Sequence, residues 1–264
     1  MHRHASAEPF CGRPVTRVVR CILAATFRDS REFVKFKPNG LVGGSAGACW
    51  LLAATCLLLG AVRTSVAAEA TTAEGQTPVW NSLFDGKNLG DWKSSNFGGE
   101  GRVSVADQRI VLDFGDSLTG IVYTQAFPPQ DYEIRLEAMR VDGIDFFCGL
   151  TFPVGKSHCS LIVGGWAGAL VGLSCVDGRD AAENETRQLH KFDTGRWYRI
   201  RVRVTAERIR CWIDERMVID QDIRGRRIST RPEVDLSKPL GIAAWQTKAA
   251  LRAIEYRQLG EGER

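Results

Sequence analysis

The acidic segment of residues 177–185 has the densest set of chemically useful side chains in the sequence. It holds four carboxylates, one amide and one guanidinium within nine residues. Asp145 and His158 precede it, in a region that the pattern predicts as a hairpin. Glycosidic cleavage normally uses two carboxyl groups about 5–10 Å apart, and Asp145 with Glu185 could form such a pair. Because a histidine titrates near neutral pH, His158 is a further candidate acid or base.

The same segment could hold a sugar rather than cleave one. Asp177, Arg179 and Asn184 can form hydrogen bonds with sugar hydroxyls. The oxygens of the segment could also bind a divalent metal such as calcium, although their spacing is not that of an EF-hand. The alternative interpretation is an exposed, solvated loop without a ligand.

Two tryptophans are candidates for stacking on a sugar ring. Trp166 lies in the glycine-rich run of residues 164–168, where glycines would let two strands bend and approach closely. An exposed Trp166 would offer an aromatic platform, whereas a buried one would belong to the core. Trp245 and Gln246, near the C-terminus, complete the predicted set of sugar-binding residues.

These candidates must be positioned by strands. In residues 131–138 apolar and charged side chains alternate, and residues 197–204 and 208–213 repeat the pattern. Such alternation is typical of antiparallel strands with one solvated face. No long helical period follows residue 80, so the sequence predicts an all-β sandwich of two sheets. The outward arginines could bind an anion, or they could pair across strands with Glu133 and Glu137, adding under about 1 kcal/mol for each exposed pair.

The N-terminal part of the chain differs in composition from the rest. Residues 1–44 form a polar, arginine-rich leader, and residues 45–70 hold an uncharged run followed by small residues. This order is typical of a signal peptide, with a retained apolar anchor as the alternative. Residues 71–79 are a polar linker, and residues 80–260 form the predicted sandwich. We therefore expect an exported protein (periplasmic, cell-surface or extracellular) that meets a membrane only through an uncleaved leader.

The charge of the predicted domain argues against a nucleic-acid partner. The net charge of +4 arises in the leader, since residues 71–264 contain 26 Lys and Arg against 27 Asp and Glu. A domain that binds nucleic acid would carry a strongly basic face. No such excess remains after residue 70.

Four cysteines follow the leader: Cys148, Cys159, Cys175 and Cys211. Disulfides persist in exported proteins. A hairpin that turns at residues 153–157 would bring Cys148 opposite Cys159 and allow a disulfide. The alternative is that these cysteines are buried free thiols.

The segment WNSLFDGKNLGDWK, which begins at Trp80, resembles the opening of the 3-keto-disaccharide hydrolase (3-keto-glucoside lyase/hydratase) family. The resemblance continues at residues 131–137, 195–202, 210–214 and 239–242, and so spans nearly all of the predicted domain. It implies a concanavalin A-like jelly-roll sandwich exported by bacteria that degrade polysaccharide. It also implies cleavage or hydration of 3-keto-glycosides, with a divalent metal in some members.

One strand departs from the family pattern. Where members carry Gly-Tyr-Glu-x-Gln-Ile-x-Asp, residues 159–166 read Cys-Ser-Leu-Ile-Val-Gly-Gly-Trp. Two hypotheses therefore remain. The first is a hydrolase or lyase that cleaves glycosidic bonds in an oligo- or polysaccharide. The alternative is a non-catalytic, lectin-like module that holds sugar through its tryptophans and the acidic segment.

Overall fold

Strands are the main regular element of the computed structural model, which describes residues 78–264. The predicted leader, the signal segment and linker residues 71–77 lie outside the described residues. The strands are β1 (Asn81–Ser82), β2 (Trp92–Ser94), β3 (Val103–Ala106), β4 (Arg109–Leu112), β5 (Leu118–Tyr123), β6 (Tyr132–Gly143), β7 (Cys148–Val154), β8 (Ser157–Gly164), β9 (Leu170–Ser174), β10 (Gln188–Leu189), β11 (Trp197–Val204), β12 (Arg208–Ile213), β13 (Arg216–Asp222), β14 (Gly241–Trp245) and β15 (Thr247–Gln258). The helical pieces are one turn at Gly165–Gly168 and two 3₁₀ helices, Pro232–Ser237 and Glu261–Glu263.

The strands form two antiparallel sheets. Sheet 1 has the order β13-β12-β11-β6-β15-β4-β3, with β1 also paired to β15. Sheet 2 has the order β10-β9-β8-β7-β14-β5-β2. Many neighbouring strands are consecutive in sequence, but others are distant, as where β14 lies between β5 and β7. The predicted all-β, two-sheet jelly-roll sandwich is confirmed.

The alternation of apolar side chains places the core between the sheets. On β11, Tyr198, Ile200 and Val202 are fully buried and face the interior. On the opposing sheet, Leu161 of β8 and Leu150 of β7 are also fully buried in the same cluster. Burial of apolar surface contributes about 25 cal/mol per Å², so this shared layer holds the two sheets together.

The outer face of sheet 1 carries a layer of ion pairs centred on Glu133. Its carboxylate accepts hydrogen bonds from Arg201 Nη1 at 2.9 Å and from Arg203 Nε and Arg257 Nε at 2.7 Å. The pairing of the arginine rows with outward acids is thus confirmed. The expectation that such pairs are exposed is wrong for Glu133, which is only 1% exposed because the three arginines cover it. Arg201 also stacks over Trp212, 3.8 Å from the ring centroid.

The four cysteines of the domain are buried free thiols. The predicted β7–β8 hairpin is confirmed, but its register pairs Cys148 with Val163 and Cys159 with Phe152. The two cysteines therefore lie at different levels of the hairpin, and the predicted opposition that would allow a disulfide is wrong. Burial raises the pKa of both Cys148 and Cys159 to about 12, so both stay protonated.

Across residues 78–264, the helices are all too short and too polar to traverse a lipid bilayer.

Candidate functional site

A cavity of about 350 Å³ opens on the outer face of sheet 2. Strands β5, β8, β9 and β14 form its floor and one edge, and three loops and a 3₁₀ helix form its walls. Its lining combines aromatic, aliphatic and polar side chains, as sugar sites do. The lining residues are Leu118, Asp145, Phe146, Ser160, Ile162, Trp166, Ser174, Asp180, Arg231, Glu233, Val234 and Trp245.

The floor is formed by the strand that departs from the family pattern. Because side chains alternate along β8, Cys159, Leu161 and Val163 enter the core while Ser160 and Ile162 face outward. Ser160 Oγ is 2.8 Å from Thr151 Oγ1 on the neighbouring strand β7. The floor thus offers hydroxyl and methyl groups, and the carboxylates of the cavity come from the loops around it.

Asp145 enters the cavity from the link between β6 and β7. The amide N–H of Phe146 donates to Asp145 Oδ1 at 2.7 Å, and the amide N–H of Asp145 donates to Thr247 Oγ1 at 3.1 Å. The side chain is half-buried and, within residues 78–264, forms no salt bridge. Its second oxygen is therefore available to a ligand.

Trp166 projects from a left-handed turn, which we call the Trp166 turn (residues 164–168). Trp166 has φ +46° and Ala167 has φ +62°, a backbone region that costs a non-glycine residue about 1–2 kcal/mol. Trp166 is 46% exposed, so of the two alternatives the buried core residue is wrong. A Cβ on Gly165 would meet Ile162 Cγ2 at 2.9 Å and lie 3.9 Å from Asp145 Oδ1, which places the turn against Asp145.

Arg231 contributes the cation of the opposite wall. Its guanidinium donates from Nη1 to Asp180 Oδ2 at 3.1 Å and from Nη2 to Glu233 Oε1 at 2.7 Å. The hydrogen bond from Arg231 holds the pKa of Glu233 below its usual value. Both carboxylates thus anchor Arg231, and the lowered pKa makes Glu233 a poor proton donor near neutral pH. Pro232 at the first position of the 3₁₀ helix fixes the chain beside this cluster.

Two predicted acidic residues are held in an ion-pair cluster outside the cavity lining. Asp177 accepts hydrogen bonds from Arg226 Nε at 2.7 Å and from the amide N–H of Arg227 at 2.8 Å. Glu185 accepts from Arg226 and from Gln221 Nε2. The amide of Arg227 and then the side chain of Arg226 lower the pKa of Asp177, while the pKa of Glu185 is lowered first by its own backbone N–H and then by Arg226. Asp145 and Glu185 are therefore not brought together in this cavity, and the predicted acid–base pair remains a prediction.

The remaining predicted residues also make structural contacts. Asn184 is 6% exposed, and its Nδ2 donates to the carbonyls of Leu173, Arg179 and Asp180. Gln246 Nε2 donates to the carbonyl of Asp116 at 2.8 Å.

Trp245 lines the cavity, whereas neither His158 nor the exposed Arg179 is among the lining residues. Burial and the nearby Lys238 lower the pKa of His158. The roles proposed for these side chains in catalysis or sugar binding remain predictions.

The donor set does not suit a resident metal. Among the residues described, no three His, Cys, Asp or Glu side chains lie close enough to share an ion. Asp180 and Glu233 direct their oxygens to the guanidinium of Arg231, which occupies the place of a cation. The predicted divalent metal is not confirmed, and no step below involves one.

The fold and the cavity define the class of two-sheet antiparallel jelly-roll sandwiches with a mixed aromatic and polar cavity on one outer face. The sequence comparison then gives the family. The profile of the 3-keto-alpha-glucoside-1,2-lyase-like domain matches residues 79–258. The chain belongs to this family, which confirms the resemblance found in its opening segment.

Solved structures give remote similarities. A carbohydrate-binding module from Bacillus subtilis has a TM-score of 0.46 and 16% identity, over 64% of this chain and 96% of its own. The apo Crh5 transglycosylase has a TM-score of 0.47 and 10% identity, over 70% and 85%. The exoplasmic/lumenal domain of VIP36, in a Ca²⁺/Man3GlcNAc-bound form, has a TM-score of 0.47 and 11% identity, over 68% and 88%. A search of curated proteins finds no significant match.

Proposed function

We propose that this protein cleaves 3-keto-α-glucosides by elimination in the cavity on the outer face of sheet 2. The proposal is supported by family membership and by one observation: Asp145 presents a carboxylate without a salt bridge to a cavity whose opposite wall carries Arg231. This arrangement separates a proton acceptor from a cation across a space of monosaccharide size.

The chemistry requires a base rather than a pair of carboxylic acids. In a 3-keto-glucoside the C3 carbonyl acidifies the hydrogen on C2. Asp145 takes this proton, the electrons of the C2–H bond form the C1=C2 double bond, and the C1–O bond breaks. The leaving oxygen takes a proton from water. A positioned general base contributes about 10²–10⁴-fold to such a step.

Arg231 has the complementary role. Negative charge develops on the substrate oxygens as the C2 proton leaves. A guanidinium that is already oriented stabilises this charge without reorganising during the reaction. Asp180 and Glu233 hold the guanidinium fork in place by one hydrogen bond each, at 3.1 and 2.7 Å.

The test is an isotope experiment with a 3-keto-α-glucoside that carries deuterium at C2, in H₂¹⁸O. We expect an unsaturated first product that has lost the deuterium and carries no ¹⁸O at C1, because no water adds to C1. The matching glucoside without the keto group serves as the control and should stay intact, since its C2 hydrogen is not acidic. Retained deuterium with ¹⁸O at C1 would instead indicate hydrolysis and contradict elimination.

A second candidate function, sugar binding without cleavage, is favoured by the exposed Trp166 at the cavity. In that case Trp166→Ala should weaken glycan retention by about 1–3 kcal/mol, or roughly 5- to 150-fold, through lost stacking and burial. Affinity electrophoresis or calorimetry with the keto-glycoside measures the change. Trp212→Ala, on the outer face of sheet 1, is the matched control, and equal retention by both variants would exclude Trp166 as a platform.

A further inference from the structure

Arg140 is a buried cation beneath the cavity wall, and the proposed reaction does not use it directly. It lies on β6 and is only 5% exposed. Its neighbours at alternating positions, Leu136 and Ala138, belong to the core, so its side chain enters the sandwich interior. There it approaches the ring of Phe147, 5.3 Å from the centroid.

The hydrogen bonds of Arg140 are both made to the backbone of the Trp166 turn. Its Nη2 donates to the carbonyl of Gly168 at 2.9 Å and to that of Gly164 at 3.3 Å. These two carbonyls lie on either side of Trp166 in the sequence. The guanidinium therefore bridges the start and the end of the Trp166 turn, whose left-handed residues would otherwise favour another conformation.

Stability of the core does not explain this arrangement. Within residues 78–264 Arg140 has no salt bridge, and its Nε has no hydrogen-bond partner. A buried charge without a matching partner lowers the stability of a fold. Burial accordingly lowers the pKa of Arg140, and only the nearby Asp145 and Tyr198 oppose the change.

We propose that Arg140 is a positioning residue that holds the Trp166 turn in its left-handed form and so presents the indole to the cavity. That the indole then contacts a sugar rests on the proposed function. The guanidinium acts through backbone carbonyls and does not touch the ligand. Both hydrogen bonds come from Nη2, so a lysine ammonium has enough donors, but it lacks the planar guanidinium that packs near Phe147 and should replace arginine only in part.

Two variants test this role, Arg140→Met and Arg140→Lys, in protein labelled with 5-fluorotryptophan. The fluorine resonance of Trp166 is assigned by comparison with Trp166→Phe. We expect the resonance of Trp166 to shift or broaden in Arg140→Met and to recover partly in Arg140→Lys. The resonances of Trp92 and Trp212 should stay in place. Arg252→Met is the reciprocal control, because Arg252 stacks over Trp197, 4.1 Å from the ring centroid, and should move that resonance alone.

The kinetic readout on the 3-keto-α-glucoside separates positioning from chemistry. We expect KM to rise about tenfold in Arg140→Met with little change in kcat, because the loss is in binding. An unmoved Trp166 resonance, or a uniform change in every tryptophan signal, would overturn the proposal. Wild-type protein that cleaves no keto-glycoside would contradict the proposed function instead, and the fluorine spectra would still decide the role of Arg140.

Discussion

Replacing Asp145 by asparagine should lower kcat/KM for a 3-keto-α-glucoside by about 10²–10⁴-fold, the usual contribution of a general base. In the wild type the N–H of Phe146 donates to Asp145 Oδ1 at 2.7 Å, and the amide oxygen of asparagine can accept the same hydrogen bond. The loop should therefore retain its shape while the proton acceptor is lost. Because the substitution removes only the base, KM should change much less than kcat.

The matched control is Asp142→Asn, near the end of β6 and three residues before Asp145. Asp142 is exposed, and its Oδ1 accepts the N–H of Gly143 at 2.7 Å, but the residue does not line the cavity. Steady-state kinetics should show this variant at wild-type activity. Full activity of Asp145→Asn would exclude Asp145 as the base, and equal losses in both variants would indicate a disturbed loop.

Glu133→Gln should lower the free energy of unfolding by about 3–5 kcal/mol, the usual cost of removing one partner from a buried ion pair. Glu133 is the shared acceptor of Arg201, Arg203 and Arg257, and its neutral replacement leaves three guanidinium groups without their common anion. Arg257, at 6% exposed, has the least access to water. Since a domain of this kind has only about 5–15 kcal/mol in total, urea unfolding should show a large shift of the midpoint.

Glu137→Gln is the control for this loss. Glu137 lies four residues further along β6 and pairs with Arg252 at 2.7 Å, and both side chains are partly exposed, at 26% and 44%. Exposed pairs contribute under about 1 kcal/mol, so this variant should unfold close to the wild type. Equal midpoints for the two variants would show that the Glu133 network contributes nothing beyond ordinary surface pairs.

The two-sheet architecture could be predicted from the sequence because apolar and charged side chains alternate along its strands with a period of two residues. Residues 131–138 and 197–204 alternate with few exceptions, and they are the adjacent strands β6 and β11. Strand register was less accessible. The β7–β8 hairpin has a two-residue turn at Gly155 and Lys156, and the length of this turn sets the register of the two strands. The actual register pairs Cys148 and Cys159 with residues other than each other.

The site was only partly accessible. Asp145, Trp166 and Trp245 were singled out by residue type, and all three line the cavity. Arg231 and Glu233 were missed because they lie in a long loop before β14, and only the fold brings them to sheet 2. The Arg-Pro-Glu order, with a proline that starts a 3₁₀ helix, was the one local signal available.

The lining of the cavity has a consequence for how the protein gains its activity. Its side chains come from chain positions as distant as Leu118 and Trp245, and they are supplied by four strands, several loops and a 3₁₀ helix. Long-range strand pairing forms late in folding. No isolated hairpin or fragment can therefore form the cavity. The protein should bind its ligand only after the two sheets have packed together at the end of folding. Local opening of a single rim loop would be enough to abolish it long before the sandwich itself melts.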